Sequence, residues 1–176
     1  IYSICLFINF GLVFYLIIII YILVLLEIIV YFKKYKLIPI IYILISFFFM
    51  LNINFNQEFF YIFNLFVSIV IIFDVFSYFV GKLYGKNKLI KISPNKTIEG
   101  LFGGIFFSFL SSLIFAYYID LKIDIILISF IILIQFTAFS GDIIESVYKR
   151  KNNLKDSSEF LPGHGGVFDR FDSFLF

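Results

Sequence analysis

Tryptophan is absent from this chain, and cysteine, methionine and histidine each occur once among its 176 residues. Alanine appears only at Ala116 and Ala138, and proline three times. The lone Cys5 excludes an internal disulfide and, set in an apolar run, reads as a packing residue. One cysteine and one histidine, His164, are too few for a zinc site. Charge is scarce as well, at 15% of residues with a net +2. No basic stretch precedes the opening apolar run and no small-residue cleavage site follows it, so a cleavable signal peptide is not expected. The chain opens on Ile1 rather than Met, which leaves room for residues before it. What is present instead is apolar: 62% of residues are hydrophobic, 28 are Phe, and mean hydropathy is +1.05. A soluble fold could not hide that much apolar surface, so most of the chain must be solvated by lipid.

The expected class is therefore all-α, a polytopic integral membrane protein. A hydrocarbon core of about 30 Å needs roughly 20 apolar residues per helix. Five segments meet or approach that length: Phe10–Val30, Leu37–Ile53, Phe59–Val80, Leu101–Ile119 and Ile125–Ser140. The second and fifth are short, which implies little tilt or a locally thinned bilayer. The loops between them alternate in charge. Lys33, Lys34 and Lys36 follow the first span, whereas only Glu58 marks the next loop. Lys82, Lys86, Lys88, Lys91 and Lys96 crowd the third loop; Asp120, Lys122 and Asp124 form the fourth. Lys149, Arg150, Lys151, Lys155 and Arg170 follow the fifth span, which puts 13 of 14 basic residues on one side. The positive-inside rule makes that side cytoplasmic, giving an N-out, C-in protein, expected in the cell membrane. A basic surface that merely attracts acidic lipid is the plainer reading of what the lysines do, so their alternation speaks to topology rather than to function.

Phe, Ile, Asn, Lys and Tyr are over-used, yet nine of the ten glycines lie between Gly81 and Gly166. Residues that resist such a skew are there for geometry. They mark two polar windows on the same expected face. In the first, Asp74 sits inside a span, about two turns from its end, where an unpaired carboxylate costs several kcal/mol. A purely structural pairing with a lysine is the competing reading. Ser93-Pro94-Asn95-Lys96-Thr97-Ile98-Glu99-Gly100 then predicts a turn followed by a helix capped by Thr97. A helix N-terminus beside Lys96 and a hydroxyl suits a phosphate. Gly100, Gly103 and Gly104 would let the helix approach a neighbour closely. Capping and close packing alone also explain these residues.

The second window opens at Gly141-Asp142 and holds both arginines and the histidine. If the fifth helix continues, Asp142, Ser146 and Lys149 share one face. Pro162-Gly163-His164-Gly165-Gly166 forces a turn, and Asp169 and Asp172 follow three residues apart. Three carboxylates without cysteine form a hard donor set suited to Mg²⁺, which takes one or two carboxylates plus substrate phosphates and water. A salt-bridge network that only ties the tail together is the alternative.

Ser146-x₂-Lys149-Arg150-x₄-Lys155-Asp156-x₅-Pro162-Gly163-His164-Gly165-Gly166-x₂-Asp169-Arg170-x-Asp172 resembles the signature of phosphatidate cytidylyltransferases, also called CDP-diacylglycerol synthases. Asp74-x₃-Tyr78-x₂-Gly81-x₃-Gly85, Ser93-Pro94-x-Lys96-Thr97-x-Glu99-Gly100 and Gly141-Asp142 resemble it too. The likeness divides the chain into N-terminal membrane helices, 1–69, and a catalytic membrane region, 70–176. It implies transfer of CMP from CTP to phosphatidic acid, with release of pyrophosphate, at a cytoplasmic site using Mg²⁺ and room for a second cation. By the same resemblance Asp142, Asp169 and Asp172 would bind the cation, and Lys149, Arg150, Asp169 and Asp172 would be catalytic. Substrate would meet Asp74, Ser93, Lys96, Thr97 and Glu99 from the first window. From the second it would meet Ser146, Lys155, Asp156, His164, Gly165, Gly166 and Arg170. A homodimer is a further implication, and no nucleic-acid partner is expected. The chain departs from the family pattern in three respects. Family members commonly have more N-terminal spans, they continue into a final membrane helix where this chain ends at Phe176, and they often have Ala where Ser77 stands. A transferase for an isoprenoid lipid phosphate, or an inactive remnant that scaffolds a partner, are the other classes compatible with the sequence.

Overall fold

Within lipid, a backbone N–H or C=O finds no water, so each apolar run must satisfy its own peptide groups and becomes a helix. The computed structural model describes residues 10–52, 57–90, 93, 96–154, 157–158 and 166–169. Five helices occur among them: α1 Phe10–Tyr31, α2 Leu37–Leu51, α3 Gln57–Tyr84, α4 Ile98–Tyr118 and α5 Ile125–Lys151. Apart from one isolated antiparallel bridge, Lys88 to Thr97, no strand pairing is present among the described residues. The protein is an all-α polytopic membrane protein.

Two of the expected spans change on inspection. Helix α2 has only 15 residues and ends at Leu51, two short of the expected Ile53. At 1.5 Å per residue it reaches about 22 Å, well under the hydrocarbon thickness of about 30 Å. Four helices, α1, α3, α4 and α5, are long and apolar enough to cross a membrane. The fifth is not short: α5 continues past Ser140 to Lys151, 27 residues in all. Hydropathy falls at Ser140, but a helix ends only where its backbone is capped. Asn153 supplies that cap in the left-handed conformation (φ 59°), and Leu154 N–H closes onto the Lys149 carbonyl at 2.9 Å. At the other end, Asp124 accepts the Leu127 N–H at 2.9 Å.

The described chain gathers into two compact units that do not follow chain order. One holds residues 1–53 with 148–171, and the other residues 54–147 with 172–176. In the second unit, Leu65, Ile69, Val70 and Phe73 of α3 pack on Ile131, Ile134 and Ala138 of α5. Helix α4 presents Gly100, Gly104, Ser108, Ser112 and Ala116, every fourth residue, as its buried line. This small-residue line lets α3 approach closely: a Cβ on Gly100 would lie 2.5 Å from the Ser77 carbonyl oxygen and 3.1 Å from Gly81 Cα. Buried Gln135 on α5 donates to Ser108 Oγ at 2.8 Å and to the Ile105 carbonyl at 3.1 Å, so its polarity is satisfied where water is absent. In the first unit, α1 and α2 pack together, with Tyr21 of α1 bonded to Ser46 of α2.

Candidate functional site

Thr97 precedes α4 with extended backbone (φ −119°, ψ 155°), and its hydroxyl accepts the Gly100 N–H at 3.1 Å, as expected for the cap of a helix starting at Ile98. Glu99 turns back over the preceding loop. Its carboxylate accepts the Lys86 N–H at 3.1 Å, the Asn87 N–H at 3.2 Å and the Asn87 side-chain amide at 2.8 Å. Further ties, Leu89 N–H to Lys96 O and Ile98 N–H to Asn87 O, pin residues 86–89 to residues 96–98. Thr97 and Glu99 thus shape the loop in this structure. Lys96, at its end, forms an ion pair with Asp142 on α5. Both side chains keep about a quarter of their surface accessible, 26% and 23%. Ser93 contributes its carbonyl to the Lys96 N–H at 3.1 Å. Asp74 is half-buried in α3 and lies nearly three turns from the helix end, since α3 runs on to Tyr84.

Replacing Thr97 with Ala removes this cap and leaves the Gly100 N–H without its acceptor. We expect a loss of about 1 kcal/mol, within a range of roughly 0.5–2, read from thermal unfolding in detergent. An unchanged midpoint would dismiss the capping role.

The first unit gathers a different set. Lys149, in the last turn of α5, donates to Asp169 Oδ1 at 2.8 Å. Asp169 Oδ2 accepts two backbone N–H groups, from Ser157 at 2.8 Å and from Gly166 at 3.0 Å. A carboxylate so surrounded by donors is held in one orientation. Because α5 remains helical to Lys151, the i, i+4, i+7 spacing of Asp142, Ser146 and Lys149 holds. Arg150 behaves otherwise: it is exposed and its guanidinium donates to the Leu154 carbonyl at 3.2 Å, at the end of its own helix. Lys155, Asp156, His164, Gly165, Arg170 and Asp172 lie outside the described residues.

Two residues with no place in the sequence reading prove central to this unit. Glu27 of α1 is buried and accepts the Ser157 hydroxyl and, at 3.0 Å, the Phe168 N–H. Asn152 accepts the Lys33 and Lys34 N–H groups at 3.0 and 2.7 Å and donates to the Lys34 carbonyl at 3.0 Å. Phe168 is fully buried, edge-on to Phe32 with ring centroids 5.9 Å apart. The signal that could have found Glu27 is the one that singled out Asp74, an acid inside an apolar run. Nothing in the local pattern marks Asn152.

Asp142 and Asp169 are hard oxygen donors, each facing an ammonium group. This chemistry fits Mg²⁺ bound through one or two carboxylates, with the remaining positions left to phosphate and water. Among the described residues, no group of three or more acidic, histidine or cysteine side chains converges as a protein cage for a metal.

The model of the cytidylyltransferase family matches residues 2–176, essentially the whole chain. The chain belongs to the cytidylyltransferase family. Among curated relatives, the phosphatidate cytidylyltransferase of Staphylococcus epidermidis strain RP62A is 48% identical over 110 residues, covering 61% of this chain and 42% of the relative. That of Staphylococcus aureus strain COL is 46% identical over the same length and with the same coverage. That of Staphylococcus haemolyticus strain JCSC1435 is 44% identical over 105 residues, 58% of this cytidylyltransferase-family chain and 40% of the relative. The matches thus span less than half the length of these relatives.

Proposed function

We propose that this chain carries the chemistry of CMP transfer from CTP to phosphatidic acid, yielding CDP-diacylglycerol and pyrophosphate. The observation that carries the reading is the Asp169 carboxylate, held between Lys149 and two backbone N–H groups, in a member of a cytidylyltransferase family. Relatives named phosphatidate cytidylyltransferase at 46–48% identity support the lipid acceptor.

In the reaction, a phosphate oxygen of phosphatidic acid forms a bond to the α-phosphorus of CTP. The bond from that phosphorus to the bridging oxygen of the β-phosphate breaks, and pyrophosphate leaves with the electron pair. The nucleophile is already an anion, so no strong general base is required, and His164 is not assigned that role. The obstacle is the meeting of two anions, which positioned cations relieve. Lys149 and Lys96 are the ammonium groups we assign to phosphate contacts, each held in place by a carboxylate. Asp142 and Asp169, with Asp172, would hold Mg²⁺, which when bound supplies charge neutralisation at the phosphates. The loop after α1 is tied by Asn152 to the residues following α5, so Lys33 and Lys34 share a side with the tail. This supports an N-out, C-in arrangement with the site on the cytoplasmic face. A homodimer in the cell membrane completes the reading.

The test is the full chain in detergent–lipid micelles with labelled CTP and Mg²⁺, offered either phosphatidic acid or an isoprenoid phosphate. CDP-diacylglycerol that disappears with EDTA is the expected result. Product only from the isoprenoid acceptor would move the protein to another transferase class. No product from a folded sample would overturn catalysis by this chain.

A further inference from the structure

Glu27 is a buried acid that the proposed reaction leaves unused. It lies in α1 one turn before Tyr31, with 5% of its surface exposed. A carboxylate inside an apolar helix is costly unless donors meet its charge. Among the described residues, the donors it finds belong to the tail, the Ser157 hydroxyl and the Phe168 N–H, 130 and 141 residues away in sequence. Gly166 closes against it, for a Cβ there would run into the Glu27 carboxylate and the Ser157 hydroxyl. The groups that Glu27 grips are those that surround Asp169. Ser157 offers its side chain to Glu27 and its N–H to Asp169; Gly166 offers its bare Cα to one and its N–H to the other. Phe168 is the immediate neighbour of Asp169, and its own N–H is fixed by Glu27.

We infer that Glu27 is a positioning residue: it fixes Ser157, Gly166 and Phe168 and through them holds Asp169 against Lys149. The inference rests on reading Asp169 as a carboxylate of the transfer site. Size, burial and two-point acceptance make the role specific. Leucine at 27 fills the space but accepts nothing. Glutamine can still serve, because its carbonyl accepts the Phe168 N–H while its amide donates to the Ser157 hydroxyl oxygen.

The experiment uses the full chain in membranes with two readouts. Cys5→Ser with Val167→Cys puts a single thiol at a position that is 7% exposed in the tail. Its reaction with a water-soluble maleimide reports whether the tail is seated. Glu27→Leu is expected to raise the labelling rate about tenfold or more, while Glu27→Gln stays within about threefold of the parent. In the transfer assay without the introduced thiol, Glu27→Leu should lower kcat about tenfold or more with KM for CTP within about threefold, and Glu27→Gln should restore it. Ser157→Ala, which removes one donor only, should move both readouts the same way by less. Protection and kcat unchanged in Glu27→Leu, or in Ser157→Ala should the leucine variant not insert, would overturn the inference. Loss in Glu27→Gln equal to that in Glu27→Leu would overturn it too, as a demand for charge rather than shape. Should labelling follow the expected order while the parent itself makes no CDP-diacylglycerol, the seating by Glu27 stands and the proposed reaction falls.

Discussion

Asp169→Asn is expected to reduce CMP transfer by at least about 10²-fold while the protein still inserts and elutes as a folded species. The reason lies in what surrounds the carboxylate. Oδ1 faces the Lys149 ammonium, and Oδ2 faces the N–H groups of Ser157 and Gly166. Each of these three partners is a donor. An asparagine must turn its NH₂ toward one side or the other, so it meets either an ammonium or two amide hydrogens. No rotamer satisfies all three. Buried donors left without an acceptor cost about 1–3 kcal/mol, and Lys149 also loses the charge that holds it. The variant is checked by labelled-CTP turnover beside size-exclusion elution. Activity within about tenfold of the parent would remove Asp169 from the site, because a carboxylate needed for charge cannot be replaced by an amide so cheaply.

Gly100→Val should be the most damaging of the small substitutions in the membrane helices. The Cβ would sit 2.5 Å from the Ser77 carbonyl oxygen and 3.1 Å from Gly81 Cα, both backbone atoms of α3 that cannot rotate away. Relief requires the two helices to separate, which opens the packing along Gly104, Ser108 and Ser112 as well. Overpacking of this kind costs about 1–3 kcal/mol and more where only backbone can yield. Thermal unfolding in detergent should show a fall of several degrees, and expression in membranes should drop with it. Gly81→Ala is the informative comparison, since its Cβ would come no nearer than 3.0 Å to the Thr97 hydroxyl and 3.5 Å to Gly100 Cα. A side chain can shift, so the loss there should be smaller. Equal losses at the two positions would refute the backbone-contact account.

Legibility in the sequence followed the range of the interaction. The apolar runs that became α1, α3, α4 and α5 were readable because lipid leaves a long apolar segment no other way to satisfy its peptide groups. The cap at Thr97 was readable because it acts within one turn, and the close approach at Gly100 and Gly104 because small residues four apart mark a helix face that a neighbour can approach. The extent of α5 was not, since hydropathy fades at Ser140 whereas the helix stops at the left-handed Asn153. The shortness of α2 was readable in its apolar run; only its end at Leu51, two residues before the expected bound, was not. Within the site, the pairing of Lys149 with Asp169 lies inside a motif dense in charge and was anticipated as a neighbourhood, though not as a bond. The anchors Glu27 and Asn152 were not anticipated. Their partners lie 118 to 141 residues away, and a contact at that separation leaves no periodicity to read.

That separation has a consequence for how the protein is made. A ribosome adds roughly 5–20 residues per second, so Glu27 emerges on the order of ten seconds before Ser157 and Phe168 exist. During that interval its carboxylate lacks the Ser157 hydroxyl and the Phe168 N–H, and the Lys33–Lys34 turn lacks the side chain that will fasten it. Helix α1 is therefore among the last of the five to be finished. Its end at Tyr31 stays unsealed through the synthesis of α2 to α5, and the tail that carries the polar motif is also the piece that completes it.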